Sequence, residues 1–186
     1  MKKILFAIPI VSLAGLITAA HAGVIGKKKK IIVHERKIKN SDWTNYQTKQ
    51  QFELDFPSAT DVKWYNGNFE EATFKDGAII TTAYYDIDNK LVGTTTEASY
   101  SDLPENAQKG IRKNFPGYKV NDVILFKDNP GNDTDMFLYS TPFEDEDSYF
   151  AQVGNGIKQA ILKINMDGQV SFFQTYKQHV IKKPSR

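Results

Sequence analysis

This sequence predicts an α+β fold: two similar units in tandem, each a helix plus an antiparallel sheet, with the helices on one sheet face. Three observations predict it. One spacing occurs twice, because Gly77 is followed by Asp86 and Leu91 at the same offsets at which Gly156 is followed by Asn165 and Val170. Ala72 and Phe74 precede the first glycine as Ala151 and Val153 precede the second. Each copy also opens with a helical pattern that runs into Phe-Pro, at Phe56-Pro57 and again at Phe115-Pro116. Finally, runs rich in Val, Thr, Tyr and Phe are separated by turn residues, including matched turns at Asp88-Asn89 and Asp167-Gly168, the pattern of antiparallel hairpins.

The first unit covers residues 41–100. Ser41 is a suitable N-cap for a helix that Pro57 stops at Phe56. Strands follow at Val62–Tyr65, Asn68–Lys75, Ala78–Asp86 and Lys90–Ser99. The second unit covers 101–176. Its helix starts at Ser101-Asp102 with Pro104 in the first turn, and Leu103, Ala107, Ile111 and Phe115 recur every four residues. Aligning the Phe-Pro pairs sets Phe52 against Ile111 and gives each helix one apolar stripe. Strands are expected at Val120–Lys127, Ser148–Val153, Ile157–Asn165 and Gln169–Tyr176. From Pro57 to Gly77 is 20 residues and from Pro116 to Gly156 is 40, so the second unit carries an insertion, placed at 129–147. Within it Met136–Phe143 is apolar enough for one added strand, and the acidic run Glu144–Asp147 is a solvated loop.

Side chains alternate along a strand, so a core position must be apolar in both copies. Ala72 with Ala151, Phe74 with Val153, Ala83 with Leu162, Tyr85 with Ile164 and Leu91 with Val170 meet that test. The opposite face then holds Ile80, Tyr84, Phe150, Ile161 and Phe173 among Thr73, Thr82, Gln152, Gln159 and Lys163. Tyr84, Phe150, Ile161 and Phe173 are the candidate partner-binding residues, an open aromatic patch of the kind that anchors interfaces. Alanine at these four positions is expected to spare stability and weaken binding.

Lys2 and Lys3 lead an uncharged run from Ile4 to Ala20 that ends in Ala20-His21-Ala22, the small-x-small pattern of a secretory signal. Residues 1–22 are read as that signal, cut after Ala22. The product is then a periplasmic or secreted protein with no integral membrane segment. No cysteine stands near the cut to carry a lipid, and none elsewhere to form a disulfide, so stability rests on burial and hydrogen bonding. Charge is uneven along the remainder. Residues 27–40, in the arm 23–40, hold seven Lys or Arg against one Glu, whereas residues 41–186 hold 15 basic and 21 acidic groups. Such an arm is a solvated linker able to make weak contact with an anionic surface. It lacks the interleaved aromatics of a nucleic-acid groove, so no nucleic-acid partner is expected. Residues 177–186 form a tail.

Catalytic motifs are missing. The histidines left after cleavage are His34 in the arm and His179 in the tail, neither in a unit that would hold a base rigidly. There is no cysteine nucleophile, G-x-S-x-G, HExxH or glycine-rich phosphate loop, so no catalytic residue and no cofactor are assigned. Asp86-Ile87-Asp88 and Asn132-Asp133-Thr134-Asp135 lack the rest of a calcium loop, and the first aligns with the second copy's hairpin turn. No metal site is assigned.

The succession FELDFPSATDVKWYNGNFEEATFKDGAIITTAYYDIDNKLVGTTT resembles the β-lactamase-inhibitor-like, PepSY-like family of exported proteins common in the Bacteroidetes. The likeness rests on Phe56-Pro57-x-Ala59, Val62-x-Trp64, Phe74-x-x-Gly77, Tyr85-Asp86-x-Asp88 and Leu103-Pro104, and runs from about Phe52 to Tyr176. It implies tandem repeats with helices packed on one face of an antiparallel sheet, as in the β-lactamase inhibitory protein, and it implies no catalytic residue. The chain lacks that inhibitor's disulfide-forming cysteines. The resulting expectation is a non-enzymatic envelope protein that binds or regulates another envelope protein through an open sheet face. The alternative is a carrier or sensor for a small molecule or ion. A deep closed pocket would favour the carrier, and a shallow surface the protein-binding module.

Overall fold

The computed structural model describes residues 43–175 except 145 and 157; the signal segment, the arm, Ser41, Tyr176, His34, His179 and the tail lie outside the described residues. Helix α1 (Tyr46–Asp55) begins at Asn45, whose side chain accepts a hydrogen bond from the Gln47 N–H at 3.0 Å, so the cap is Asn45 and not Ser41. It ends where the Phe56 N–H donates to Phe52, just before Pro57. Four strands follow: β1 (Thr60–Asn66), β2 (Glu70–Asp76), β3 (Ile79–Tyr85) and β4 (Leu91–Ala98).

Ser101-Asp102 does not open the second helix. A 3-10 turn at Tyr100–Asp102 is held by Asp102 accepting from the Ser99 N–H, Leu103 is extended, and helix α2 (Glu105–Asn114) starts after Pro104. The proline explains the break, because its ring disfavours helical geometry at the residue before it. Next come β5 (Lys119–Asp128), β6 (Met136–Leu138), β7 (Thr141–Phe143), β8 (Ser148–Gly154), β9 (Gln159–Asn165) and β10 (Val170–Thr175). Eight strands form one antiparallel sheet in the order β1-β2-β3-β4-β5-β8-β9-β10, and β6 and β7 pair only with each other. Met136–Phe143 is therefore a separate two-stranded hairpin and not one added strand.

The matched turns close on matched bonds. Gly77 (φ 59°) and Gly156 (φ 88°) turn β2 into β3 and β8 into β9, and Asn89 (φ 63°) and Gly168 (φ 80°) do the same one hairpin later. The Asn89 N–H donates to the Asp86 carbonyl and the Gly168 N–H to the Asn165 carbonyl. Asp86 and Asn165 side chains then accept from the Lys90 and Gln169 N–H groups at 2.9 and 2.8 Å. Each helix grips its own turn, through Thr48 to Asn89 and through Asn106 to the Asp167 carbonyl.

Helix and strand side chains pack into two clusters. Phe52 of α1 meets Ala72, Phe74, Ala83 and Tyr85, while Leu103, Ala107 and Ile111 meet Val123, Ala151, Val153, Leu162 and Ile164. Four of the five expected core pairs are buried, and Leu91 and Val170 are partly buried at the margin. Helix α1 departs from its expected apolar stripe: it buries Thr48 and Phe52, and leaves Tyr46 and Leu54 in water.

Candidate functional site: the sheet face opposite the helices

Tyr84, Phe150, Ile161 and Phe173 do share a face, but that face is covered where they stand. The β6–β7 hairpin lies on it and forms a second core, in which Phe69, Tyr84, Val92, Phe126, Met136, Leu138, Phe143, Phe150 and Ile161 are buried and Phe173 is partly buried. Phe150 sits between Phe143 and Phe173, with ring centroids 4.9 and 5.0 Å away, and Tyr84 donates or accepts a bond with Thr95 inside the cluster. Tyr84, Phe150 and Ile161 are interior and Phe173 is partly covered beside them, so the expectation of an open aromatic patch is corrected. A Cβ on Gly93 would meet the Phe126 ring at 2.6 Å, so the bare glycine is what allows that ring against the strand.

Sequence reasoning also missed how the insertion is fastened. Asp86 accepts from the Asp88 and Lys90 N–H groups, from Asn132 Nδ2 at 2.8 Å and from Thr134 Oγ1 at 3.3 Å, tying the insertion to the β3–β4 turn. Burial raises the Asp86 pKa, but these donors outweigh it and hold the carboxyl below its ordinary value. At the far end Lys163 pairs with Glu146 at 2.9 Å and lies over the Phe143 ring, while Asp147 accepts from the Asp128 N–H. The acidic run is thus not simply a solvated loop; two of its carboxylates are fasteners. Equal turns in both copies gave Asp86 a local role, and nothing in sequence announced the distant donors.

Beyond the hairpin the face is open. Lys63, Thr73, Lys75, Ile80 and Thr82 of β1–β3 occupy one part, with Thr73 and Thr82 hydroxyls bonded at 2.9 Å and Ile80 48% exposed. Lys75 pairs with Asp61 at the rim. A groove of about 480 Å³ runs along Asp61, Lys63, Thr73, Lys75 and Ile80, and a smaller one of about 270 Å³ lies between α1 and β1. Both are open to solvent.

Two carboxyls on this face are pushed up. Burial raises Glu71 on β2 to about 7, and burial also raises Asp122 on β5 against the Val123 N–H that lowers it. Three strand steps of about 4.8 Å separate them across the sheet, and the register sets them six residues apart along it, more than about 20 Å in all and too far to act as one acid/base pair. Glu71 is therefore a stability element. Its folded pKa exceeds the unfolded value, so its contribution is fullest below about 4.5 and is lost as pH rises toward 7. Glu71→Gln is expected to raise unfolding free energy at pH 8 by about 1–3 kcal/mol and to change it little at pH 4, measured by urea melts.

Among the described residues no cluster of three or more His, Cys, Asp or Glu side chains could hold a metal, and no helix is long and apolar enough to cross a membrane. No family model and no curated protein matches the chain. Solved structures do: this is an α+β fold of the BLIP-like kind. A proposed periplasmic protein from Bacteroides eggerthii matches with TM-score 0.58 and 15% identity, over 72% of this chain and 89% of its own. A DUF2874 family protein from Bacteroides uniformis matches with TM-score 0.57 and 14% identity, over 69% and 86%. A BLIP-like protein from Bacteroides fragilis matches with TM-score 0.55 and 16% identity, over 76% and 93%. At these identities the likeness is one of fold.

Proposed function

We propose that the chain is a non-enzymatic exported envelope protein, a tandem helix-plus-sheet repeat that binds another envelope protein and regulates or inhibits it. The signal is cut after Ala22 and the product works in the periplasm or outside the cell. The contact is the part of the sheet face that the hairpin leaves open, centred on Ile80 and rimmed by Lys63, Thr73, Lys75 and Thr82. The observation that carries this reading is an exposed isoleucine on a hydroxyl-lined and charged strand surface, beside a groove that is open to solvent. BLIP-like and periplasmic neighbours support a non-catalytic module in that compartment. A carrier for a small molecule needs an enclosed site, and open grooves favour a protein contact instead.

A photo-cross-linker at Ile80 in the native envelope is expected to trap one partner protein, and Ile80→Asp to weaken its capture at least about tenfold while moving stability by no more than about 0.5 kcal/mol. Undiminished capture by Ile80→Asp would refute the placement of this surface.

A further inference from the structure

The two copies differ at the gap between the helix and the strand that follows it. Both chains leave the helix by the same hydrogen bond: the Ala59 N–H donates to the Phe56 carbonyl at 3.0 Å, and the Tyr118 N–H to the Phe115 carbonyl at 3.1 Å. In the second copy the gap is filled. The Tyr118 ring lies against Phe115 with centroids 5.8 Å apart, and Tyr118 and Val120 both pack on the cluster that α2 shares with its strands. The first copy has Ala59 and Asp61 at those two positions. The left-handed residue moves as well, from Gly117 (φ 78°) to Asp61 (φ 55°), and the exposed Asp61 carboxylate pairs with Lys75. What the missing side chains leave is the groove of about 270 Å³ between α1 and β1, whose apolar lining is Phe52, Phe56, Ala59, Val62 and Trp64.

We propose that this groove is a peptide-binding site, which takes an aromatic side chain and an aliphatic one two residues along from an extended segment of another protein. The second copy shows what closes such a gap: a tyrosine and a valine at i and i+2, which fall on one side of an extended chain. Aromatic walls already stand around the space. Phe52 meets Phe56 and Trp64 with centroids 5.4 and 5.2 Å apart, and an added ring can pack edge to face among them. The volume falls below the roughly 300–1,000 Å³ of a site for a free drug-sized molecule, so it suits one or two side chains. Position favours an extended visitor. Strand β1 ends the eight-stranded sheet and has no strand on its outer side among the described residues, so a visiting backbone can pair there while alternate side chains enter the groove. The register irregularity lies between Thr60 and Lys63, which leaves Lys63–Asn66 as the regular length for that pairing. Ile80 lies on the other sheet face from Ala83 and Tyr85, so the inference stands without the partner proposed for that surface.

The test uses the exported chain with Trp43→Phe, so that Trp64 is its one tryptophan. The probe is the peptide Thr-Glu-Thr-Tyr-Lys-Val-Thr-Ser, acetylated, amidated and without net charge. A saturable change in Trp64 emission is expected below about 1 mM, and serine in place of the peptide's tyrosine is expected to weaken binding at least about tenfold. Ala59→Tyr gives the first copy the second copy's own plug, and should abolish binding while leaving the melting temperature equal or higher. Val62→Asp, at a position 37% exposed, sets a charge in the groove and should weaken binding at least about tenfold in a folded chain. Binding that survives either folded variant would overturn the site, as would the absence of a saturable change by about 1 mM. Equal binding of the serine peptide would overturn the aromatic requirement. A dimer in light scattering that Ala59→Tyr converts to monomer would overturn the proposal in favour of a second copy as occupant. Loss of the Ile80 cross-link has no bearing on these readouts.

Discussion

Phe150→Ala is expected to cost about 3–5 kcal/mol of unfolding free energy, because a large fully buried ring leaves a cavity that its neighbours only partly fill. In a domain of this size that corresponds to a fall in melting temperature of roughly 6–20 °C. The ring lies between Phe143 of the hairpin and Phe173 of the edge strand, with Tyr139 6.5 Å away. Its removal should therefore loosen the hairpin as well as the sheet, and protease should cut sooner within the insertion. Ile80→Ala, on the same sheet face but uncovered, is expected to stay within about 0.5 kcal/mol of the parent. A cost below about 1 kcal/mol at Phe150 in chemical denaturation would mean that the hairpin does not close over it in solution.

The contrast between those two residues marks what sequence could say. Alternation assigned Ile80, Tyr84, Phe150 and Ile161 to one face correctly, since period two follows from the geometry of any strand. It carries no information about what lies on top. The cover is the β6–β7 hairpin, and its turn is hidden because Tyr139 (φ 53°) and Ser140 (φ 65°) both take left-handed geometry. Two-residue turns of that kind are usually announced by Asn-Gly or Asp-Gly, and a Tyr-Ser pair announces nothing. Turns with the usual residues, at Asp88-Asn89 and Asp167-Gly168, were legible to the residue. Helix α1 was misread for another reason: aligning Phe52 with Ile111 lent it the second helix's stripe, but the positions opposite Leu103 and Ala107 are Thr44 and Thr48, and within the helix only Thr48 and Phe52 are buried.

Asp86→Ala is expected to cost about 3 kcal/mol, because one charged acceptor serves two turn N–H groups, Asn132 and Thr134, and its loss strands donors that are partly out of water. The position aligned with it in sequence is Asn165, which accepts from its own turn at Gln169 and shows that a neutral side chain suffices for the turn alone. What needs the carboxylate is the reach to the insertion. Asp86→Asn should therefore keep the β3–β4 turn while loosening residues 129–135, visible as faster amide exchange there than in β3. The pH dependence gives a second measure. The folded pKa of Asp86 is depressed, so its contribution is complete above the unfolded value near 4 and is lost as pH falls from there through the folded value. Parent and Asp86→Ala should differ most above about pH 5 and converge in acid. A gap in unfolding free energy that stays constant down to pH 2 would show that the residue acts by packing and not as the charged anchor of the hairpin.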